Sequence, residues 1–267
     1  MMEGTLTDFL IFEVQDGVAT LTMNRPEKLN AFTSEMLHGL VAALDECEGR
    51  EDVRTVILTG AGRGFSSGGD IGGMGEENDS RPHITKTRIW EEIQAFAKRA
   101  ARFEKPLLAA VNGAAIGGGM DLALACDIRI AGESAKFAET YAKIGLLPGG
   151  GGAYFLPRLV GKARALELLS TADFINAKTA LKIGLVNHVY PDDQLLGETT
   201  KLAKRIAAMP PLSIQLIKRT VNQSLETDME TAFDLVSSHI AIARAGKDHV
   251  EAIKAFREKR TGNYVGY

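Results

Sequence analysis

Cysteine is almost missing from this 267-residue chain. Cys47 and Cys126 are the only two, and neither has a neighbour at metal-ligand or redox spacing, so both read as buried free thiols in a reducing compartment. Net charge is missing too: 31 basic against 34 acidic side chains leave −3, too weak a field to hold a polyanion or a membrane surface. Apolar runs such as Leu107 to Val111 fall far short of the roughly 20 residues that span a bilayer. The five histidines, His38, His83, His188, His239 and His249, stand singly with no H-x-x-x-H pair, which leaves metal catalysis without a site. Neither G-x-x-x-x-G-K-[ST] nor a strand-borne G-x-G-x-x-G occurs, so ordinary nucleotide phosphate cradles are excluded. The first thirty residues carry no basic-then-apolar leader and no Arg-rich presequence, which makes the cytoplasm the expected address. No repeat of 20–50 residues and no low-complexity tail is visible.

Glycine is what the chain has in excess: 28 residues, about 10% where about 7% is usual. Their positions follow the elements. Phe9 to Val14 and Val18 to Met23 flank Asp16-Gly17 and predict a β-hairpin. Thr33 or Ser34 caps a helix carrying Met36, Leu37, Leu40, Val41 and Leu44 at helical spacing, ended by Gly49. Thr55 to Thr59 reads as a buried strand and is followed by a first glycine cluster, Gly60 to Gly75. One long amphipathic helix is expected from Pro82 to Glu104, then a strand at Leu107 to Val111. Asn112-Gly113 leads to Gly117-Gly118-Gly119 and to Met120 to Cys126, apolar on nearly every face except at Asp121, hence a buried central helix. A strand at Asp127 to Ala131 and a third cluster, Gly149 to Gly152, follow. Beyond about Gly161 helical patterns dominate, and the stripe Leu225, Met229, Phe233, Val236 and Ile240 is more than a small appendage buries alone, so a subunit interface is its expected use. Strand and helix alternation implies an α/β fold with a parallel sheet and crossovers.

Gly64-Phe65-Ser66-Ser67-Gly68 imitates the G-x-S-x-G nucleophile elbow, but it lacks the strand before and the helix after that such an elbow requires. The two glycine turns and the single buried acid are more informative. A glycine lets a substrate oxygen approach a backbone N–H, and a helix N-terminus adds unpaired donors. Two such donors aimed at one point form an oxyanion hole, suited to a carbonyl that becomes an enolate. Tight turns and close packing alone would explain either cluster singly; the pair favours the oxyanion hole.

Val53 to Gly73 and Leu107 to Ala131 resemble the two signature segments of the crotonase superfamily, the enoyl-CoA hydratase/isomerase family. Asn24-Arg25-Pro26 with Asn30-Ala31, Phe137 to Gly161, Gly184-Leu185-Val186 and Ala255 to Arg260 resemble it as well, so the likeness covers essentially the whole chain. The resemblance implies a spiral of repeated ββα units over 1–195 that carries an acyl-CoA site. It also implies a C-terminal helical region, 196–267, that builds homotrimers or dimers of trimers. No cofactor is implied beyond the coenzyme A of the substrate, and no nucleic-acid or membrane partner. Carried over by position, Gly69 and Gly118 are the N–H donors to the thioester carbonyl. Arg25, Lys28, Leu29, Ser67, Asp70, Ile71 and Lys259 are the CoA contacts, with Asp70 also capping the turn after Gly69.

In relatives that hydrate enoyl-CoA, two glutamates share the attacking water. Their positions here hold Asp121 and Tyr141. Spacing from Phe137 to Gly145 is intact, so Glu139 is not expected to take the second place without a changed backbone path. A tyrosine donates a proton but is a poor base near neutral pH. Hydration with Asp121 as base is the leading expectation. Double-bond isomerisation, C–C hydrolysis or decarboxylation, and a non-catalytic acyl-CoA-binding protein stay open. Isomerases of the family often carry an acid just after the Leu-Pro turn, where this chain has Gly149.

Overall fold

Asp16 and Gly17 adopt φ of 52° and 81° in the computed structural model, which describes residues 4–7, 9–70 and 81–267. Positive φ at both positions is what a two-residue hairpin turn needs to match strand twist. Strand β1 (Gly4–Thr7) pairs antiparallel with β2 (Leu10–Gln15), which turns at Asp16-Gly17 into β3 (Val18–Met23). Helix α1 (Ser34–Gly49) begins where the Thr33 side chain accepts the Met36 N–H at 3.2 Å, and its buried stripe of Met36, Leu37, Leu40, Leu44 and Cys47 packs beneath the sheet.

Three units then repeat one path, each a long strand, a tight turn, a strand of three residues and a helix. The first is β4 (Thr55–Gly60) and β5 (Gly64–Ser66), followed by α2 (Pro82–Arg88) and α3 (Ala95–Arg102). The second is β6 (Leu107–Val111), β7 (Ala114–Ile116) and α4 (Gly118–Leu124). The third is β8 (Ile128–Gly132), β9 (Lys136–Ala138), a 3-10 turn at Thr140–Ile144 and α5 (Gly152–Val160). Helix α6 (Lys162–Thr171), β10 (Ile175–Asn176), α7 (Ala177–Lys182) and β11 (His188–Tyr190) complete this region. The long strands form one sheet in the order β1-β2-β3-β4-β6-β8-β11, parallel from β3 onward; the short ones form a second, β10-β9-β7-β5. The expected spiral of ββα units is present, but the second sheet is invisible in the sequence because three residues are too few to show an alternation.

Successive turns of the spiral touch through backbone. Asn112 donates from Nδ2 to the carbonyls of Gly60 (2.7 Å) and Gly62 (2.9 Å), and buried Asn30 donates to those of Ala61 (2.9 Å) and Gly64 (2.7 Å). A Cβ on Gly113 would lie 2.1 Å from the Arg63 carbonyl oxygen. Gly113→Ala therefore forces two turns apart. A loss of about 1–3 kcal/mol is expected, as for other overpacked positions, read as a lower denaturant midpoint at unchanged slope.

The expected long helix from Pro82 to Glu104 is broken into α2 and α3 by a π-helical segment, Ile89–Ile93. The wider turn takes up an extra residue without ending the helical path, which side-chain periodicity does not register. Helix α8 (Leu195–Ala207) lays Leu195 and Ala203 on Val18, Ile57, Leu108, Ala110 and Ile130 of the large sheet. Helices α9 (Pro211–Ser224), α10 (Met229–Ala245) and α11 (Lys247–Glu258) follow, and Leu225, Met229, Phe233 and Ile240 on the expected interface stripe are all exposed. Cys47 and Cys126 are free and buried, and burial pushes both thiols up to about 12. Among the described residues no helix is long and apolar enough to cross a membrane.

Candidate active site

The first two glycine clusters meet. Gly68, at φ 95°, is packed so that a Cβ on it would lie 2.8 Å from the Ile116 carbonyl oxygen and 3.2 Å from the Gly118 nitrogen. A Cβ on Gly119 would fall 2.0 Å from the Ser66 carbonyl oxygen, so only glycine brings α4 this close to β5. Phe32 forms a parallel bridge with Gly69: its N–H donates to the Gly68 carbonyl (2.8 Å), and the Asp70 N–H donates to its carbonyl (3.1 Å). Because the C=O and N–H of one trans peptide point in opposite directions, the Gly69 N–H faces away from Phe32. Gly118 opens α4, so its N–H has no carbonyl one turn earlier to bond.

Asp121 lies on α4 one turn beyond Gly118 and is 2% exposed. Its Oδ2 accepts the Tyr141 hydroxyl at 2.5 Å and the Gly150 N–H at 2.9 Å. Burial pushes its carboxyl up to about 6, against the opposing pull of Tyr141, Gly150 and Gly152, which favour the anion. Tyr141 is driven far above the ordinary phenol range, first by burial and then by the Asp121 charge and its own hydrogen bond to it. It therefore keeps its proton and is a hydrogen-bond donor at any working pH. Its hydroxyl also stands beside Gly118, 3.3 Å from where a Cβ on that glycine would be. Carboxylate, phenol and helix-opening N–H thus form one contiguous group.

The third glycine cluster holds this group in place. Gly151, at φ 126°, caps α5, so Gly150 and Gly152 are presented to Asp121 from either side of the cap. A Cβ on Gly152 would sit 2.6 Å from Asp121 Oδ1 and 2.7 Å from Glu139 Oε1. Glu139, 1% exposed, therefore brings its carboxyl up to Asp121 across Gly152, while the hydrogen bond to Asp121 Oδ2 comes from Tyr141. Glu139 (φ −96°, ψ 83°) follows the end of β9 and directly precedes the 3-10 turn that carries Tyr141.

The proposed CoA contacts are more dispersed. Arg25 is committed to the Ala31 carbonyl (2.6 Å) and to Asp70 Oδ2 (3.1 Å), clamping the Arg25–Ala31 loop to the turn after Gly69. The Ser67 hydroxyl donates to the Lys28 carbonyl (3.2 Å), and the Ser67 N–H to that of Leu29 (2.9 Å). These contacts draw Arg25, Lys28, Leu29, Ser67 and Asp70 together beside Gly69. Lys28 is exposed, as is Lys259 in the αL cap of α11. Ile71 lies outside the described residues, as does much of the polar segment that follows it.

The sequence profile described as enoyl-CoA hydratase/isomerase matches residues 13–266. The chain belongs to the enoyl-CoA hydratase/isomerase family. It is 38% identical over 261 residues to a crotonyl-CoA hydratase of Syntrophomonas wolfei subsp. wolfei, covering 96% of this chain and 97% of that one. It is 35% identical over 261 residues to a 1,2-epoxyphenylacetyl-CoA isomerase of Escherichia coli, covering 98% and 100%. A crystal structure of an enoyl-CoA hydratase from Bacillus anthracis superimposes with a TM-score of 0.91 at 32% identity, over 97% of this chain and 100% of that one. This member of the enoyl-CoA hydratase/isomerase family is an enzyme, and its candidate site pairs an aspartate with a tyrosine.

Proposed function

We propose that the chain is a 2-enoyl-CoA hydratase, adding water reversibly across the double bond conjugated to a thioester. The observation that carries this reading is the Tyr141 hydroxyl set between Asp121 Oδ2 and Gly118. The thioester carbonyl accepts the Gly69 and Gly118 N–H groups, which stabilise the enolate oxygen as charge moves onto it. Oδ2 of Asp121 is occupied by its donors, while Oδ1 has no partner among the described residues. Oδ1 takes a proton from the attacking water as its oxygen bonds to the β-carbon. Once Asp121 is protonated, its Oδ2 releases the Tyr141 hydroxyl, which gives its proton to the α-carbon, and the proton on Oδ1 passes to the phenol oxygen after the carboxyl turns toward it. Every proton is conserved, and the step needs no cofactor beyond the CoA of the substrate.

The loop 25–30 with Ser67, Asp70 and Ile71 is proposed to line the CoA chain, with Lys28 and Lys259 countering its phosphates. Names of relatives support the substrate class: one is a crotonyl-CoA hydratase, another a short-chain-enoyl-CoA hydratase of Clostridium acetobutylicum. The exposed stripe on α10 is proposed as the subunit contact of a trimer or dimer of trimers. A double-bond isomerase is the second reading, favoured by the Asp121 carboxylate beside the tyrosine, which is able to take and return one proton. The test is to follow the conjugated-thioester absorbance of crotonyl-CoA and longer 2-enoyl-CoA esters. Its enzyme-dependent loss is expected. Binding without loss of absorbance, together with 3-enoyl to 2-enoyl conversion, would replace hydration by isomerisation.

A further inference from the structure

Three buried oxygens at this site lack a partner among the described residues: Asp121 Oδ1 and both Glu139 carboxyl oxygens. They belong to two acids wrapped around one glycine, since a single Cβ on Gly152 would collide with Asp121 Oδ1 and Glu139 Oε1 at once. Two unpaired anions in so dry a place would each lose hydration and repel the other, so one proton stays with the pair. Asp121 has the donors for an anion, namely Tyr141 and Gly150. Glu139 has none.

We propose that Glu139 is a positioning residue that acts through Asp121, as the proton-holding half of a two-carboxyl unit whose other half is the base. This rests on the reading of Asp121 as base. The charged groups around Glu139 support the assignment. On α4 only Asp121 acts on it, and on the 3-10 turn the neighbouring titratable group is the phenol of Tyr141. From α5, Arg158 is turned to Glu226; from α6, Arg164 pairs with Glu167 and Lys162 is exposed. Lys143 lies over the Phe174 ring, and Lys136, Lys178 and Lys182 on the adjoining elements are exposed. No cation among the described residues therefore acts to ionise Glu139. Burial, and then the Asp121 charge, push its carboxyl up to about 10. Both carboxyls are raised, Glu139 further than Asp121, so the first proton leaves the pair more readily from Asp121 and the second is held to much higher pH.

With its proton in place, Glu139 leaves Asp121 as the single negative charge facing the forming enolate. Once ionised, it adds a second charge in a low-dielectric setting and opposes that enolate. The test joins infrared difference spectra with pH profiles of Glu139→Gln, a neutral variant of nearly the same shape. At pH 8 the wild type should show the carbonyl stretch of one protonated carboxyl, absent from Glu139→Gln, and in Asp121→Asn that band should vanish at lower pH. The alkaline fall in kcat/KM of the wild type should shift to higher pH in Glu139→Gln, with the acid limb kept. No protonated carboxyl at pH 8, a band that persists in Glu139→Gln, or an identical alkaline limb in both enzymes would overturn the proposal. Should no enoyl-CoA be turned over at all, the functional reading fails, while the infrared arm still decides whether Glu139 keeps the proton.

Discussion

Asp121→Asn is expected to lower kcat for crotonyl-CoA hydration by about 10²–10⁴-fold, the usual worth of a positioned acid or base, while binding of the CoA ester persists. The amide keeps the shape of the carboxyl and a carbonyl oxygen for the Tyr141 hydroxyl, but no longer takes a proton from water. Folding is not expected to suffer. Burial raises the Asp121 carboxyl in the folded chain, so the folded state favours the protonated form more than the unfolded state does. The resulting cost to stability grows as pH rises from the ordinary carboxylate range to about 6, then stays constant. Asparagine avoids that cost, so at pH 8 the variant should melt at or above the wild-type temperature. Thermal scans at pH 4 and pH 8 beside the absorbance assay separate lost chemistry from lost fold.

Tyr141→Phe is expected to lower kcat by about 10²-fold or more, the lower end of acid–base effects, with a small change in KM. The ring is kept against Gly117, where a Cβ would be 3.9 Å from Tyr141 Cε2. Only the hydroxyl between Asp121 and Gly118 is removed. The loss has two sources: the α-carbon loses its proton donor, and Asp121 loses a hydrogen bond that holds its carboxyl down. The acid limb of the pH profile should therefore shift upward in the variant. A kcat within threefold of wild type would leave Tyr141 as a spacer and assign α-carbon protonation elsewhere.

Much of this site was legible in the sequence. Thr33 announced α1, Asp16-Gly17 the hairpin, and Gly117-Gly118-Gly119 the start of the buried helix, because each depends on chemistry within four residues. Asp121 stood out as the one acid in an apolar helix. The third cluster read as an empty place for an acid, whereas Gly150 serves Asp121 through a backbone N–H that any sequence would supply. Glu139 was legible as a residue and not as a neighbour. Its contact with Asp121 exists because Gly152 has no side chain, a coincidence of three segments that no spacing within one segment encodes.

The most direct measurement is the pH dependence of kcat/KM for crotonyl-CoA in the wild type and Tyr141→Phe. If Asp121 is the base that the tyrosine hydroxyl restrains, the wild-type profile rises through about pH 6, and the rise moves to higher pH when the hydroxyl is gone. A rise in the ordinary carboxylate range, or one in the same place in both proteins, would contradict the account.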